Sequence, residues 1–311
     1  MTTILADTYR LRDQDGTLIP GGTYIWRGPA NVPVFALENC REVVAAQVKL
    51  TLEKPCEAVA VIERTKVGPG VVVSTMNRFI GWRVEGNGLV DRGFWCRATI
   101  NQNNEHMEFH ANVFSRVGRP FLFAGTQSKH HRLTHNVVES YDVAVSSDAG
   151  FHWQGGTIGV GNVAFKLTNS GDPVTITDVG IETTKRLLES SGPTHASQPI
   201  ALEGVRYEAD RLHPDGHMIV LKHPGPLSLH ANRFGGGAQP IPRILLDGFR
   251  DQMIELHGNT FGSFGADKVC PVRAPRPSYA KVGWGRNVYY RAADTDPPVS
   301  VRDTWPSTEY A

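Results

Sequence analysis

Apolar residues along this chain recur in short runs, two positions apart, each followed by a polar pair, an Asn or Gly, and one more apolar residue. Leu227-Ser228-Leu229-His230-Ala231-Asn232-Arg233-Phe234 is echoed by Ile254-Glu255-Leu256-His257-Gly258-Asn259-Thr260-Phe261. Met107 to Phe114 matches the template almost position for position, and Arg132 to Val138 and Trp82 to Leu89 are further copies. Weaker copies start at Phe151, Val174 and Ile200, and segments around Leu37 and Val61 fit loosely. The second apolar residue of each copy falls at Leu37, Val61, Val84, Phe109, Leu133, Trp153, Ile176, Leu202, Leu229 and Leu256, at spacings of 20 to 27 residues.

A period near 24 is too short and too strand-like for ankyrin or tetratricopeptide helices, and the fixed leucine pattern of leucine-rich repeats is missing. Alternation at two predicts strands with Leu227 and Leu229 inward and Ser228 and His230 outward. The Asn or Gly position is expected to take the left-handed backbone of a tight bend. Stacking such coils places Asn87, Asn112, Asn136, Asn232 and Asn259 in one corner column, where amides can bond along the axis. About ten rungs at roughly 4.8 Å each predict a rod about 45 to 50 Å long.

This pattern resembles the single-stranded right-handed parallel β-helix of the pectate-lyase-like superfamily, an all-β solenoid, here carried by residues 33–265. Residues 1–32, with turns at Asp15-Gly16 and Gly21-Gly22, read as an N-terminal cap and strand pair. Residues 266–311 form a Pro- and aromatic-rich tail, with Trp284, Tyr289, Tyr290, Trp305 and Tyr310 able to pack on the solenoid or on a neighbouring chain.

Composition narrows the partners. Among 311 residues, 32 Lys and Arg balance 31 Asp and Glu. That balance gives no electrostatic reason to expect nucleic acid or an anionic membrane surface. No apolar stretch reaches about 18 residues, so membrane insertion is not expected. Met1 to Arg12 lacks the apolar core of a secretion signal, which implies synthesis in a cytoplasm without export. Cys40, Cys56, Cys96 and Cys270 form no metal or redox spacing and read as buried free thiols.

Three constellations carry candidate chemistry. Ile181 and Tyr207 occupy equivalent inward positions, so Glu182 and Glu208 are expected as outward neighbours on adjacent rungs, a carboxylate pair of the kind glycosidases use. The same offset sets Lys185 above Arg211, bases suited to elimination beside a uronic carboxylate. The outward columns His110, Thr134, Gln154, Thr177, Glu203, His230, His257 and Glu108, Arg132, His152, Thr175, Ala201, Ser228, Glu255 form a polar face. Within it, His152, Gln154, Glu203, His230 and His257 are the candidate sugar-binding residues. His213-Pro214-Asp215-Gly216-His217, like His130-His131, has donor atoms at short spacing but reads as an exposed turn, so no metal is expected. No cofactor fingerprint occurs, and neither polygalacturonase-type motifs nor calcium-holding Asp clusters are recognisable.

A β-helix with no leader, a small cap and an aromatic tail resembles bacteriophage tailspikes and minor tail proteins. That resemblance implies a virion protein made in the host cytoplasm and assembled as a trimer with other tail proteins. Its partner would be a host-surface glycan. The alternative is a polysaccharide lyase or glycoside hydrolase acting on a uronic polymer.

Overall fold

The computed structural model describes residues 2–64, 75–98, 104–125, 128–168, 172–191, 199–209, 213–222, 225–235, 243–246, 252–264, 272–274, 280–291, 300–302 and 309–310, with backbone alone over most of the last stretches. Among them every regular element is a strand, and the chain is a parallel β-solenoid with a rung count close to the expected ten. No helix among the described residues is long and apolar enough to cross a membrane.

Two compact units divide the chain, Met1–Thr157 and Ile158–Ala311. Each turn contributes three strands rather than the two visible in the repeat. In the first unit, Tyr9–Arg12, Phe35–Glu38, Ala58–Glu63, Arg92–Arg97, Arg119–Ala124 and Tyr141–Ser147 stack as a first face. Leu18–Ile19, Val44–Ala46, Arg78–Ile80, Glu108–His110, His131–Thr134 and Phe151–Gln154 form the second. The third runs through Thr2–Leu5, Gly22–Trp26, Val48–Leu52, Arg83–Glu85, Val113–Ser115 and Val137–Glu139. The solenoid register therefore starts within residues 1–32, where Thr2–Leu5 lies parallel to Gly22–Trp26 and Tyr9–Arg12 to Phe35–Glu38.

The second unit repeats the plan. Its first face begins Gly161–Leu167, Thr184–Ser190, His217–Leu221; its second is Val174–Thr177, Ile200–Glu203, Leu227–His230, Gln252–His257, Ala280–Gly285. Its third begins Gly180–Glu182, Arg206–Glu208, Arg233–Gly235, Thr260–Phe264, Val288–Arg291, and ends with Ser300–Arg302 pairing antiparallel.

Inward columns supply the core because inward residues of each strand meet their equivalents one rung away and the residues of neighbouring faces across the interior. Phe79 stacks on Phe109 at 5.3 Å between ring centroids, and Phe94 packs edge-on to Phe114 at 5.2 Å; all four are fully buried. Each such ring contributes about 1.5–3 kcal/mol through removal from water.

Two expectations need correction. Leu37 and Val61 lie on the first face, and Val84 pairs with Phe114 on the third. The true partners of Phe109 on the second face are Phe79 and, beyond it, Ala45. The chain between Glu63 and Arg78, and between Arg97 and Glu108, is longer than in later turns, so the apparent period slipped onto other faces. Asn87 consequently stands outside the Asn column, exposed, with φ 53°.

The second correction concerns the bend itself. The left-handed residue is the one before each Asn: Ala111 (φ 52°), His135 (53°), Ala231 (52°), Gly258 (66°) and Arg286 (55°). That placement turns the Asn side chain inward. In the first unit Asn112 accepts from Trp82 N–H and Asn136 accepts from Asn112, each at 3.0 Å. In the second unit Val205 N–H, Asn232 and Asn259 donate in turn to Asn232, Asn259 and Asn287 at 2.8 to 3.0 Å. Ala231 bears the left-handed strain that glycine avoids. Ala231→Gly is expected to raise the thermal midpoint by about 1–3 °C, read by differential scanning calorimetry; an unchanged or lower midpoint contradicts this.

Candidate functional site

The outward side of the second face carries the sugar-contact candidates in the expected register. In the first unit Glu108, Arg132 and His152 align across successive strands, as do His110, Thr134 and Gln154. His110 Nδ1 lies 2.7 Å from Thr134 Oγ1. Burial lowers the His152 pKa, Arg132 lowers it further, and the hydrogen bond with Gln154 opposes both. His152 therefore presents a neutral imidazole near neutral pH, a group that can both donate and accept.

In the second unit Thr175, Ala201, Ser228 and Glu255 form one row and Thr177, Glu203, His230 and His257 the other. Glu203, His230 and His257 are exposed, whereas Ser228 and Glu255 are half-buried. The rings of His230 and His257 cross edge to face at 5.3 Å. One ligand atom from each of His230, Glu255 and His257 falls within 4.8 Å of the other two.

Glu182 and Glu208 are directly paired on the third face. Arg206, two residues from Glu208 on the same strand, donates Nε to Oε1 at 2.9 Å and Nη2 to Oε2 at 3.1 Å. Those bonds hold the Glu208 carboxyl below its ordinary value, outweighing its slight desolvation. The side chain is thus a committed anion, not a proton donor near neutral pH. Lys185 points along the first face and donates to Asn162 Oδ1 at 2.7 Å. Arg211, His223 and Cys270 lie outside the described residues. Cys40, Cys56 and Cys96 are buried free thiols, with burial pushing Cys56 up to about 12.

The turn around Asp215 is a structural knot. Desolvation would raise the Asp215 pKa, yet Arg186, the His217 backbone N–H and His213 together lower it strongly. Arg186, itself buried, donates to Asp215, to Glu189 Oε2 at 2.8 Å and to His213 Nδ1 at 2.7 Å. The Asp215 carboxyl and His213 Nδ1 thus engage Arg186, which anchors the loop to the first face.

Sequence reasoning missed two features. A cleft of about 550 Å³ opens in the first unit where the third face turns into the first, lined by Asn87, Asp91, Arg116, Ser140, Tyr141 and Asp142. Arg116 is held there by Glu85 and Asn87, each at 2.9 Å. These residues share no motif; their common signal is the left-handed backbone of Asn87, Arg116 and Ser140 at successive corners. The second is Trp95, with the guanidinium carbons of Arg92 and Arg97 over its ring at 4.1 and 4.6 Å.

No family model, curated protein or solved structure matches this chain.

Proposed function

We propose that this protein binds surface glycans along the outward second face, as a β-solenoid of the bacteriophage tailspike or minor-tail kind. The observation that carries the reading is the pair of in-register polar rows within each unit, with imidazole, amide, hydroxyl and carboxylate groups repeating from strand to strand. A rigid sheet presents these groups pre-ordered, so an extended chain of hydroxyl-rich units meets many hydrogen-bonding groups at little conformational cost. The open cleft beside Arg116 and Asp142 falls within the 300–1,000 Å³ range of ligand sites and offers a second seat for a sugar unit. In this reading the protein acts in a virion as a homotrimer beside other tail proteins, and the balanced charge suits neutral glycans rather than polyanions.

A glycan array combined with a reducing-sugar assay tests it. Binding without product is the expected result. On the glycan found, the double variant His152→Ala, Gln154→Ala weakens binding about tenfold through lost hydrogen bonds. Its thermal midpoint stays within about 2 °C, because both side chains are partly exposed. Product release that Glu182→Gln abolishes would instead establish the lyase or hydrolase alternative. Absence of both binding and product on a broad array rejects the glycan reading, and a monomer by light scattering rejects the trimer.

A further inference from the structure

We propose that His230, Glu255 and His257 form a binding site for a borderline divalent transition metal of the zinc class. The site lies on the outward second face of the second unit. The proposal stands on the geometry of these three side chains and does not depend on glycan binding.

Glu255 and His257 are two residues apart on one strand, so both leave the sheet on the same side. His230 is directly opposite His257 on the neighbouring strand, and Ser228 opposite Glu255. Two imidazoles and one carboxylate thus converge from adjacent rungs, with one donor atom from each inside a 4.8 Å span. Around a tetrahedral zinc with bonds near 2.0–2.1 Å, ligand atoms sit about 3.3 Å apart. Side-chain rotations of about 1 Å close that difference without moving the backbone.

The chemistry of the donors selects the metal. Calcium and magnesium demand oxygen shells, whereas two imidazoles with a carboxylate suit zinc and its neighbours. Three protein ligands leave at least one coordination position open to water.

Two features of the fold pre-organise the site. Asn232 and Asn259 follow His230 and His257 by two residues each, and their buried amides bond to one another along the axis. The strand register that brings the ligands together is therefore pinned beside them. Below His257 the next strand carries Gly285, where a Cβ would lie 2.3 Å from His257 Nδ1. Glycine at this position leaves the room in which the imidazole lies.

The test uses the full chain without an affinity tag, stripped with EDTA and titrated with zinc sulfate by calorimetry, with metal content read by mass spectrometry. One zinc per chain is expected. His230→Ala and His257→Ala each weaken it at least tenfold, and Glu255→Gln weakens it similarly. Gly285→Ala, which removes no ligand, also lowers affinity by displacing the ring. Circular dichroism and the melting midpoint confirm that each variant is folded. His152→Ala in the other unit leaves the stoichiometry and affinity unchanged. The proposal is overturned if the folded chain takes up no stoichiometric zinc. It is equally overturned if zinc binding survives both histidine substitutions, or is lost instead in His213→Ala, which would move the site to the Asp215 loop.

Discussion

Asn259→Ala lowers the stability of the folded chain by about 4 kcal/mol, while Asn87→Ala lowers it by about 1 kcal/mol or less. Asn259 is fully buried, and its side chain makes four hydrogen bonds. Its amide donates to Leu229 O at 2.7 Å and to Asn287 Oδ1 at 3.0 Å, and its Oδ1 accepts from the backbone and side-chain N–H of Asn232. Alanine removes all four and leaves the buried Asn232 N–H without its acceptor. An orphaned buried donor costs about 1–3 kcal/mol, and the remaining bonds add about 1 kcal/mol each before relaxation. Because each amide in the row polarises the next, loss from the middle costs more than loss from the end. Asn87, by contrast, is exposed, and its side chain donates to Leu52 O and accepts from Arg116, bonds that water can replace. Thermal melts of the two variants decide the matter, at roughly 2–4 °C per kcal/mol for a chain of this size. Equal midpoints for the two variants would show that the ladder is not what holds the corner.

That contrast shows how far the sequence could be read. The inward alternation of Leu227, Leu229 and Phe234 is a local property of each strand, so the solenoid and the outward positions of His152, Gln154, His230 and His257 were legible. The first-face strand of each turn was not, because strands such as Ala58–Glu63 and His217–Leu221 are apolar at all but one terminal position and show no alternation. Phase was lost in the early turns for a related reason: Trp82-Arg83-Val84 is as good a local match as Arg78-Phe79-Ile80, and only pairing with Phe109 distinguishes them. Asn at a corner is compatible both with a left-handed bend and with an inward amide. The choice between them is made by the residue before it, which carries no type preference here: Ala, His, Gly and Arg all occur. Glu182 and Glu208 were placed correctly as neighbours, but the neutralising role of Arg206 depends on side-chain geometry that spacing does not encode. His131 looked like part of an exposed histidine pair; only the strand register, opposite Phe151, sends it inward.

His131 makes the first unit acid-sensitive. It is fully buried, accepts weakly from the Met107 N–H at 3.4 Å and shares a hydrogen with Ser128 Oγ at 3.0 Å. Burial drives its pKa down to about 3, with His106 and His130 adding in the same direction. The unfolded chain titrates this residue near 6.5. The folded pKa is therefore depressed: above pH 6.5 both states hold a neutral ring and the stabilisation is complete. As pH falls from 6.5 towards 3 the unfolded state takes up a proton that the folded state refuses, and stability is lost. By pH 5 the loss from this one group is about 2 kcal/mol, rising to roughly 4–5 kcal/mol by pH 3. Carboxylates add their own acid sensitivity below about pH 5, and the lowered pKa of His152 adds a share common to every variant at position 131. The difference between wild type and a His131 variant from pH 7 to 5 therefore isolates this histidine. His131→Gln keeps a donor for Ser128 and a side chain that cannot charge. It is expected to be less stable at pH 7, through the lost fit, yet to show a flatter decline between pH 7 and 5 by urea denaturation. Parallel declines for the wild-type chain and the variant would mean that His131 does not stay neutral in the fold. A wild-type midpoint unchanged from pH 7 to 5 would mean the same.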